Sequence, residues 1–431
     1  MIIEFSVENY RSIRDRCTLS LVANNKDRQL PDNLIEVSLP GLRNTKLLKS
    51  AVIYGANASG KSNILKAAGF MSGFVAKSAV ELGPEDETGV APFLLDTECQ
   101  SKPSRFEAIF ILSGVRYQYG FIVDRRKVHE EWLYAYPLGR QQRWFQRSLQ
   151  PETGSYKWDF SKTHFRGDHQ ALLSKTRENA LFLSTGAQWN DDQLKDVFLW
   201  FKWHFRFLDC SSFAPSTMAW FGADILSKNE WMRETVAGLL RTADLGICDV
   251  TFEKIPADKI VLSGEVPDAL KEALAKELNK NDMIDIRWLH AASGQDAPVQ
   301  FTTEDESSGT LKFFGLLAAW VDTLQEGYTV LVDEIAANMH PLLLRFLIQA
   351  MHNPSINQSA AQVVMTTHDT NLLDTSLFRR DQIWFTEKDK SGGTDLYPLT
   401  EYKPRKDEAL QKGYLAGRYG AIPFFKGELS F

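Results

Sequence analysis

The segment GANASGKS, from Gly55 to Ser62, constrains the possible folds of this chain more than any other part of the sequence. It matches the pattern G-x-x-x-x-G-K-[ST] in full. An apolar run, Leu47 to Tyr54, precedes the segment, and residues up to Lys77 repeat apolar side chains at helical spacing after it. A strand, a glycine-rich turn and a helix in this order predict a phosphate-binding loop, or P-loop.

The residue types in the predicted P-loop indicate how a nucleoside triphosphate would bind. Gly55 and Gly60 let the backbone approach phosphate oxygens closely, and N–H groups at the helix start point at those oxygens. Lys61 is expected to reach the β- and γ-phosphates, and Ser62 is expected to bind Mg²⁺. An ordinary strand-to-helix turn is the alternative interpretation of the segment.

A second segment, YTVLVDE, supplies the acids that a P-loop requires. It predicts a buried strand that ends in Asp333 and Glu334. Asp333 is expected to hold the water shell of Mg²⁺, and Glu334 is expected to polarise the attacking water. An apolar run that ends in two acids is also compatible with a solvated strand end, so this prediction depends on the P-loop.

His368 follows a further predicted strand, which begins at Gln362. A histidine at the carboxyl end of a parallel strand would face the same crevice as the phosphates. A capping or packed histidine is the alternative for any single histidine. The coincidence with two other strand-end motifs favours a functional role for His368.

The sequence ESSGT, from Glu306 to Thr310, precedes a helical run and predicts a second helix N-terminus that suits an anion. Taken alone, Ser307, Ser308 and Gly309 form only a helix cap. Because the chain has one P-loop, these three residues could instead serve the nucleotide of a neighbouring subunit.

Composition excludes several classes of protein. With 44% hydrophobic and 24% charged residues, the 431-residue chain is typical of a folded protein and not of a disordered one. The formal net charge of -6 argues against a protein that coats nucleic acid with its whole surface, although a local basic groove stays open. The four cysteines lack the short paired spacing of a zinc site. No apolar run is long enough to cross a membrane, so a cytoplasmic protein is expected.

The order of predicted elements indicates an α/β fold with three regions. Residues 1–164 form an N-terminal lobe with the P-loop and an antiparallel β meander between Arg105 and Tyr136. Residues 165–295 are predicted to form a mainly helical insertion, with helices over 191–203, 228–242 and 268–279. Residues 296–431 form a C-terminal lobe in which helices and strands alternate again.

The sequence resembles the ABC-type ATPases of the SMC, RecF and OLD clan in its order of P-loop, insertion, Ser-Ser-Gly signature, Val-Asp-Glu and Thr-His-Asp. The opening FSVENYRSI, from Phe5 to Ile13, is similar to the first strand of that clan. More narrowly, the chain resembles the stand-alone ATPases of bacterial anti-phage and abortive-infection operons, such as RloA, AbiLi and the PARIS ATPase. The matching segments are residues 55–63, 132–140, 306–314, 333–341 and 414–423.

This resemblance implies a P-loop core of the ABC ATPase type that carries an antiparallel β subdomain and a helical insertion. Two or more copies would bind ATP and Mg²⁺ between them, with the signature of one copy against the γ-phosphate held by Lys61 of the other. Glu334 would be the catalytic carboxylate and His368 the switch histidine, while Ser62 and Asp333 would hold the metal. The further residues that would contact nucleotide are Arg11, Asn57 and Asn63.

The role implied is that of an ATP-hydrolysing sensor or regulatory subunit of an anti-phage defence system. Its partners would be further copies of the chain, a separate effector of the TOPRIM nuclease type and a phage-derived trigger. Two alternatives stay open: a RecF-like repair ATPase that binds DNA directly, and a scaffold that binds ATP to hold an effector with little turnover. DNA-stimulated hydrolysis favours the first alternative, and function that survives Glu334→Gln but not Lys61→Ala favours the second.

Overall fold

The computed structural model of this chain describes residues 1–167, 169–243, 246–255, 283–292, 294, 297–337, 339–405 and 408–423. Within these ranges the chain has a mixed α/β fold with several sheets, which confirms the predicted α/β class. The helix predicted over residues 268–279 lies outside the described ranges. In the part of the chain that the structure describes, no helix has both the length and the apolar character needed to span a membrane.

The described strands, in chain order, are β1 (Ile2–Glu8), β2 (Cys17–Ser20), β3 (Leu34–Val37), β4 (Thr45–Leu48), β5 (Ser50–Gly55), β6 (Ser104–Leu112), β7 (Val115–Val123), β8 (Val128–Tyr136), β9 (Gln142–Leu149), β10 (Tyr156–Phe160), β11 (Phe205–Asp209), β12 (Ile247–Ile255), β13 (Met283–His290), β14 (Val299–Phe301), β15 (Thr329–Asp333), β16 (Gln362–Thr366), β17 (Ile383–Lys388) and β18 (Thr394–Pro398). The described α-helices are α1 (Lys61–Lys77), α2 (Thr97–Ser101), α3 (Gln170–Leu173), α4 (Phe182–Gln188), α5 (Asp192–Leu199), α6 (Pro215–Leu226), α7 (Glu230–Thr242), α8 (Ser308–Glu326), α9 (Pro341–His352) and α10 (Leu410–Leu415).

A six-stranded sheet carries the P-loop, with the strand order β11-β15-β16-β5-β17-β18. The first five strands are parallel, and the edge strand β18 runs antiparallel to β17. Every residue of β5, β15 and β16 is buried. Continuous burial is typical of parallel strands that are covered on both faces. The carboxyl ends of β5, β15 and β16 therefore meet at one edge of this sheet, where the P-loop begins.

A seven-stranded antiparallel sheet has the order β10-β9-β8-β7-β6-β1-β2. The predicted meander between Arg105 and Tyr136 corresponds to β6, β7 and β8, which pair consecutively. Aromatic side chains of this sheet share one hydrophobic core with α1. Phe106 and Phe121 are fully buried in that core, with ring centroids 5.3 Å apart, and Phe74 of α1 packs against Phe121.

A buried ion pair between β8 and β9 of the antiparallel sheet also contacts the start of α4. The Nε atom of Arg147 lies 3.2 Å from the Oε2 atom of Glu131, and both side chains are fully buried. Glu131 also accepts hydrogen bonds from the backbone N–H groups of Phe182 and Leu183, at the start of α4. Because helix N-termini favour negative charge, this carboxylate holds α4 against β8.

The chain forms two compact units. The first contains residues 1–209, 324–336 and 348–431, and therefore both large sheets and the P-loop. The second contains residues 210–323 and 337–347, including α6, α7 and a small antiparallel sheet of β12, β13 and β14. In the second unit α8 packs closely on α6, since a Cβ atom added to Gly315 would lie 2.1 Å from the carbonyl oxygen of Met218.

The second unit begins after Asp209, whereas the sequence predicted that an insertion starts at residue 165. The difference arises because β11 pairs in parallel with β15 and so belongs to the central sheet. The described part of the second unit also contains three strands in addition to its helices. Long-range strand pairing of this kind leaves no periodic signal in the local sequence.

Two predicted elements have different bounds in the structure. The apolar run from Leu47 to Tyr54 is divided, since β4 ends at Leu48 and pairs with β3, while Ser50 begins β5. The helix predicted over residues 191–203 is α-helical as far as Leu199 and continues as a π-helical turn. In contrast, the helix predicted from Ser62 to Lys77 corresponds closely to α1.

Candidate nucleotide-binding site

The P-loop connects the end of β5 to the start of α1, and its two outer glycines are required by geometry. A Cβ atom added to Gly55 would lie 2.5 Å from the hydroxyl oxygens of Ser59 and Thr386. Gly60 has a φ angle of 107°, and an added Cβ atom would lie 2.1 Å from the hydroxyl oxygen of Thr394. Glycine is therefore needed at position 55 for space, and at position 60 for backbone conformation as well.

The start of α1 offers an anion site at the end of the P-loop. Gly60 precedes the helix, and no side chain of the described residues caps it. The first turn of α1 carries no acidic residue. Backbone N–H groups in the first turn of a helix lack partners within the helix and carry partial positive charge. Phosphate is a ligand that suits this arrangement.

Lys61 is buried and folds back over the P-loop. Its Nζ atom donates hydrogen bonds to the carbonyl oxygens of Gly55, at 3.0 Å, and Ala56, at 3.1 Å. Burial lowers the pKa of the Lys61 ammonium group, and the negative charges of Glu334 and Asp333 oppose that decrease. The ammonium group therefore lies among oxygen atoms, close to the loop that would hold phosphates.

Ser62 and Asp333, the two predicted metal ligands, lie together in the structure. Asp333 is the last residue of β15, and it is 1% exposed. Its carboxylate accepts a hydrogen bond from the hydroxyl group of Thr366 at 2.6 Å, and the Ser62 hydroxyl group lies close enough to lower its pKa. Burial raises the pKa of the Asp333 carboxyl group, and the hydroxyl groups of Thr366 and Ser62 oppose the increase.

Glu334 and His368 form a pair at the same edge of the sheet. The Oε1 atom of Glu334 lies 3.2 Å from the Nε2 atom of His368, and both side chains are partly exposed. The hydrogen bond with His368 lowers the pKa of the Glu334 carboxyl group, and burial opposes that decrease. The structure therefore brings the predicted catalytic carboxylate into contact with the predicted switch histidine, and Lys61 adds to the decrease in pKa.

A chain of hydrogen bonds between polar side chains connects the P-loop and α1 to β18 and to the turn after β1. The Nδ2 atom of Asn63 donates to the hydroxyl oxygen of Ser12 at 2.6 Å, which in turn lies 2.8 Å from the hydroxyl oxygen of Thr394. The Thr394 hydroxyl group also lies 2.9 Å from the carbonyl oxygen of Ser59, to which it donates. Asn63 thus connects the helix after the P-loop to the turn after β1.

Arg11 and Asn57 are both exposed residues close to this chain of hydrogen bonds. Arg11 precedes Ser12 in the turn after β1, and its Nε atom donates to the hydroxyl oxygen of Tyr10 at 3.1 Å. Asn57 lies on the P-loop itself. The structure places both residues near the loop, and their contact with nucleotide stays a prediction.

Ser307, Ser308 and Gly309 lie at the start of α8, in the second unit. The hydroxyl oxygen of Ser307 accepts a hydrogen bond from the backbone N–H group of Thr310 at 3.1 Å. Its carbonyl oxygen accepts one from Leu311 at 3.0 Å. Ser307 therefore caps the helix, which was one of the two interpretations of the ESSGT segment, and Ser307 and Ser308 are exposed.

Two residues at the carboxyl edge of the parallel sheet were not predicted from the sequence. Thr366 ends β16 and contacts Asp333, as described above. Asp209 ends β11, lies opposite Asp333 in the strand register, and has its Oδ2 atom 3.8 Å from the Nζ atom of Lys66. Like TVLVD, the sequence FRFLD ends in an acid, but Arg206 interrupts its apolar run, so FRFLD does not give the signal of a buried strand that TVLVD gives.

The donor atoms at this edge suit Mg²⁺. The Ser62 hydroxyl group and the Asp333 carboxylate are oxygen donors, and Mg²⁺ is usually bound by one or two carboxylates together with waters and substrate phosphates. Among the described residues, no group of three or more histidine, cysteine, aspartate or glutamate side chains forms a metal site. One hydroxyl group and one carboxylate, from Ser62 and Asp333, are the donors expected for a cation that also binds nucleotide phosphates.

In a comparison with known protein families, one family model matches the region that contains this site. A family model described as "AAA domain, putative AbiEii toxin, Type IV TA system" matches residues 50–374. The matched region begins with β5 and contains the P-loop, the ESSGT segment, Asp333, Glu334 and His368. A search of curated proteins finds no match to the chain.

Proposed function

The chain belongs to this family of AAA domains, which links it to ATPases of abortive-infection and toxin–antitoxin systems, and we propose that it is an ATP-hydrolysing switch of an anti-phage defence system. In this proposal ATP drives two or more copies together, and a separate effector of the TOPRIM nuclease type responds to the assembly. The observation that carries the proposal is the meeting of Lys61, Ser62, Asp333 and Glu334 at the carboxyl edge of one parallel sheet.

The proposed reaction is attack of water on the γ-phosphate of ATP, with ADP as the leaving group. Lys61 exchanges its bonds to the loop carbonyl groups for bonds to the β- and γ-phosphates. Ser62 and Asp333 would hold Mg²⁺, which when bound neutralises charge on the phosphate oxygens. The backbone N–H groups at the start of α1 bind the remaining phosphate oxygens.

Glu334 is the residue proposed to orient and polarise the attacking water. The His368 contact lowers its pKa, so the carboxylate is ionised at neutral pH and can accept a hydrogen bond from water. His368 holds this carboxylate through its Nε2 atom. Because both side chains are partly exposed, water can reach them without a rearrangement of the core.

The signature residues Ser307, Ser308 and Gly309 are proposed to complete the site of a second copy. Support comes from the exposed start of α8, a helix of 19 residues whose first turn contains no acidic side chain. Such a helix start attracts anions. One copy would thus supply the P-loop and the other would supply the signature, so hydrolysis and assembly would depend on each other.

Light scattering combined with size-exclusion chromatography tests the proposed assembly. Glu334→Gln keeps the shape of the side chain but removes the carboxylate, so bound ATP should persist and the mass should increase only with ATP and Mg²⁺. Glu326→Gln, at the exposed end of α8, is the matched control. Wild-type protein should release phosphate from ATP. A mass that is identical without nucleotide, together with absent hydrolysis, would support the scaffold alternative.

A mixing experiment tests whether the site is shared between copies. Lys61→Ala removes the P-loop lysine, and Ser308→Arg blocks the signature, so neither variant should hydrolyse ATP alone. A dimer of one copy of each variant has one site in which an intact P-loop faces an intact signature, and a second site in which both are changed. Each mixed dimer should therefore recover up to about half of the activity of a wild-type dimer. If the mixture stays inactive while each variant is folded and Ser308→Arg binds ATP, the shared site is excluded. Hydrolysis that rises on addition of duplex DNA would favour the repair ATPase instead.

A further inference from the structure

Thr366 contacts three consecutive residues of the neighbouring strand end. Its hydroxyl group donates to the Oδ1 atom of Asp333 at 2.6 Å and accepts the backbone N–H group of Glu334 at 2.8 Å. Its carbonyl oxygen accepts the backbone N–H group of Ile335 at 3.1 Å. Thr366 itself is fully buried at the end of β16, between β15 and β5. One residue thus holds the whole turn that carries both proposed functional acids.

The turn at Glu334 needs such support because its backbone is in an unfavourable conformation. Glu334 has a φ angle of 53°, in the left-handed region where the Cβ atom of an ordinary residue is crowded. The chain leaves β15 at this point, and the Glu334 side chain reaches His368. The hydrogen bond from the Glu334 backbone N–H group to Thr366, in the next strand, keeps this turn in place.

We propose that Thr366 is a positioning residue, whose hydroxyl group sets the orientation of Asp333 for Mg²⁺ and of Glu334 for water. The inference rests on the proposed function for the roles of the two acids. It adds that the geometry of both acids is controlled from β16 by one fully buried side chain, which is not among the residues predicted to bind nucleotide or metal. Thr366 is therefore distinct from the residues that bind or react.

The hydroxyl group of Thr366 is used both as a donor and as an acceptor, which allows a sharp substitution test. Thr366→Val keeps the shape of the side chain and removes both hydrogen bonds, whereas Thr366→Ser keeps both hydrogen bonds and removes a methyl group. Thr367→Val is the matched control. Thr367 is also fully buried, but its hydroxyl oxygen accepts the N–H group of Asp369, at 3.0 Å, and not that of Glu334.

Hydrogen exchange of the nucleotide-free protein tests the support of the turn directly. We expect the Glu334 amide to exchange about tenfold faster or more in Thr366→Val, because it loses its buried acceptor. The same amide should exchange within about twofold of wild type in Thr366→Ser and Thr367→Val. Equal acceleration in all three variants would mean that general loosening of β16 is responsible, and it would overturn the inference.

The Mg²⁺ dependence of nucleotide binding tests the consequence for Asp333. A fluorescent ATP analogue is titrated with Mg²⁺, and Thr366→Val should raise the half-saturating Mg²⁺ concentration about tenfold, the effect of losing one hydrogen bond to a charged group. Thr366→Ser should restore a value within about threefold of wild type. Binding of the analogue in EDTA should be unchanged, since the P-loop is intact.

The two measurements separate failure of this inference from failure of the proposed function. If wild-type protein binds no analogue under any condition, the proposed function is wrong, while hydrogen exchange still decides whether Thr366 holds the turn. If wild-type protein binds the analogue and Thr366→Val has the wild-type Mg²⁺ dependence, Thr366 does not position Asp333. A Thr366→Ser variant that behaves like Thr366→Val would assign the effect to the methyl group and overturn the inference as well.

Discussion

The Nε2 atom of His368 lies 3.2 Å from the Oε1 atom of Glu334, so a histidine that follows one parallel strand contacts a glutamate that follows the next. This contact is the main cause of the lowered pKa of Glu334. It connects two strand ends that lie far apart in the sequence, and it brings a titratable pair to the carboxyl edge of the sheet.

Replacement of His368 should change the titration of Glu334. In His368→Ala the pKa of Glu334 should rise toward its ordinary value of 4.5, because the hydrogen bond and charge of the histidine are lost. Carbon NMR of glutamate side chains, with Glu334→Gln for assignment, would measure the shift. His164→Ala, at an exposed histidine, is the control. An unchanged Glu334 titration would contradict the contact.

The same pair predicts the direction of a pH effect on stability. Since folding lowers the pKa of Glu334, its contribution to stability is present above about pH 4.5 and is lost as the pH falls through the lowered pKa. Urea unfolding at several pH values should therefore show that wild type and His368→Ala converge at acid pH. A difference that grows as the pH decreases below 4 would contradict this sign.

Gly60→Ala should destabilise the protein strongly, whereas Gly73→Ala should not. At position 60 the φ angle is 107° and the new Cβ atom would lie 2.1 Å from the Thr394 hydroxyl oxygen, so a loss of roughly 3 kcal/mol is expected. At position 73, inside α1, nothing lies within 4 Å of the new Cβ atom. Alanine there should raise the free energy of unfolding by about 0.5–1 kcal/mol. Urea unfolding of both variants measures the difference, and equal effects would contradict it.

Lys61→Met should weaken nucleotide binding strongly while the fold is kept. The substitution retains the apolar stem of the side chain but removes the ammonium group that reaches the P-loop carbonyls, and an ATP affinity about 100-fold weaker is expected. Lys77→Met, at the exposed end of α1, is the control and should bind ATP as wild type does. Titration with a fluorescent ATP analogue and thermal unfolding would show whether affinity falls without loss of the fold.

Glu131→Gln should destabilise the first unit by about 3 kcal/mol, because it leaves the fully buried Arg147 guanidinium without its counter-charge. Glu130→Gln is the matched control, since Glu130 precedes Glu131 in β8 and points to the opposite face. Denaturant unfolding measures both effects. A loss below about 1 kcal/mol in Glu131→Gln would show that hydrogen bonds to α4, and not the ion pair, carry this contact.

Much of the P-loop region could be predicted because its signals are local. The glycine spacing, the lysine and the apolar periodicity from Ser62 to Lys77 all lie within one strand, turn and helix, and α1 confirms the predicted helix. The ends of β15 and β16 were predicted in the same way, from apolar runs followed by polar residues. The roles assigned to these polar residues stay predictions.

The position of β11 could not be predicted from the same kind of signal. Its five residues stand among helical patterns, and only pairing with β15 shows that Asp209 belongs beside Asp333. Thr366 was likewise unremarkable in the sequence, where it is one hydroxyl residue at a strand end. Its function in the turn depends on which strand lies next to β16.

Local sequence therefore specified the loop, the helix after it and the acids at the strand ends, because backbone conformation and periodicity are set by residues close together in the chain. Which of those strand ends become neighbours was settled by the folded sheet, since parallel strands pair through long crossovers that no local pattern records. The Glu334–His368 contact and the Thr366 hydrogen bonds exist for that reason, because each joins β15 to β16 across the sheet.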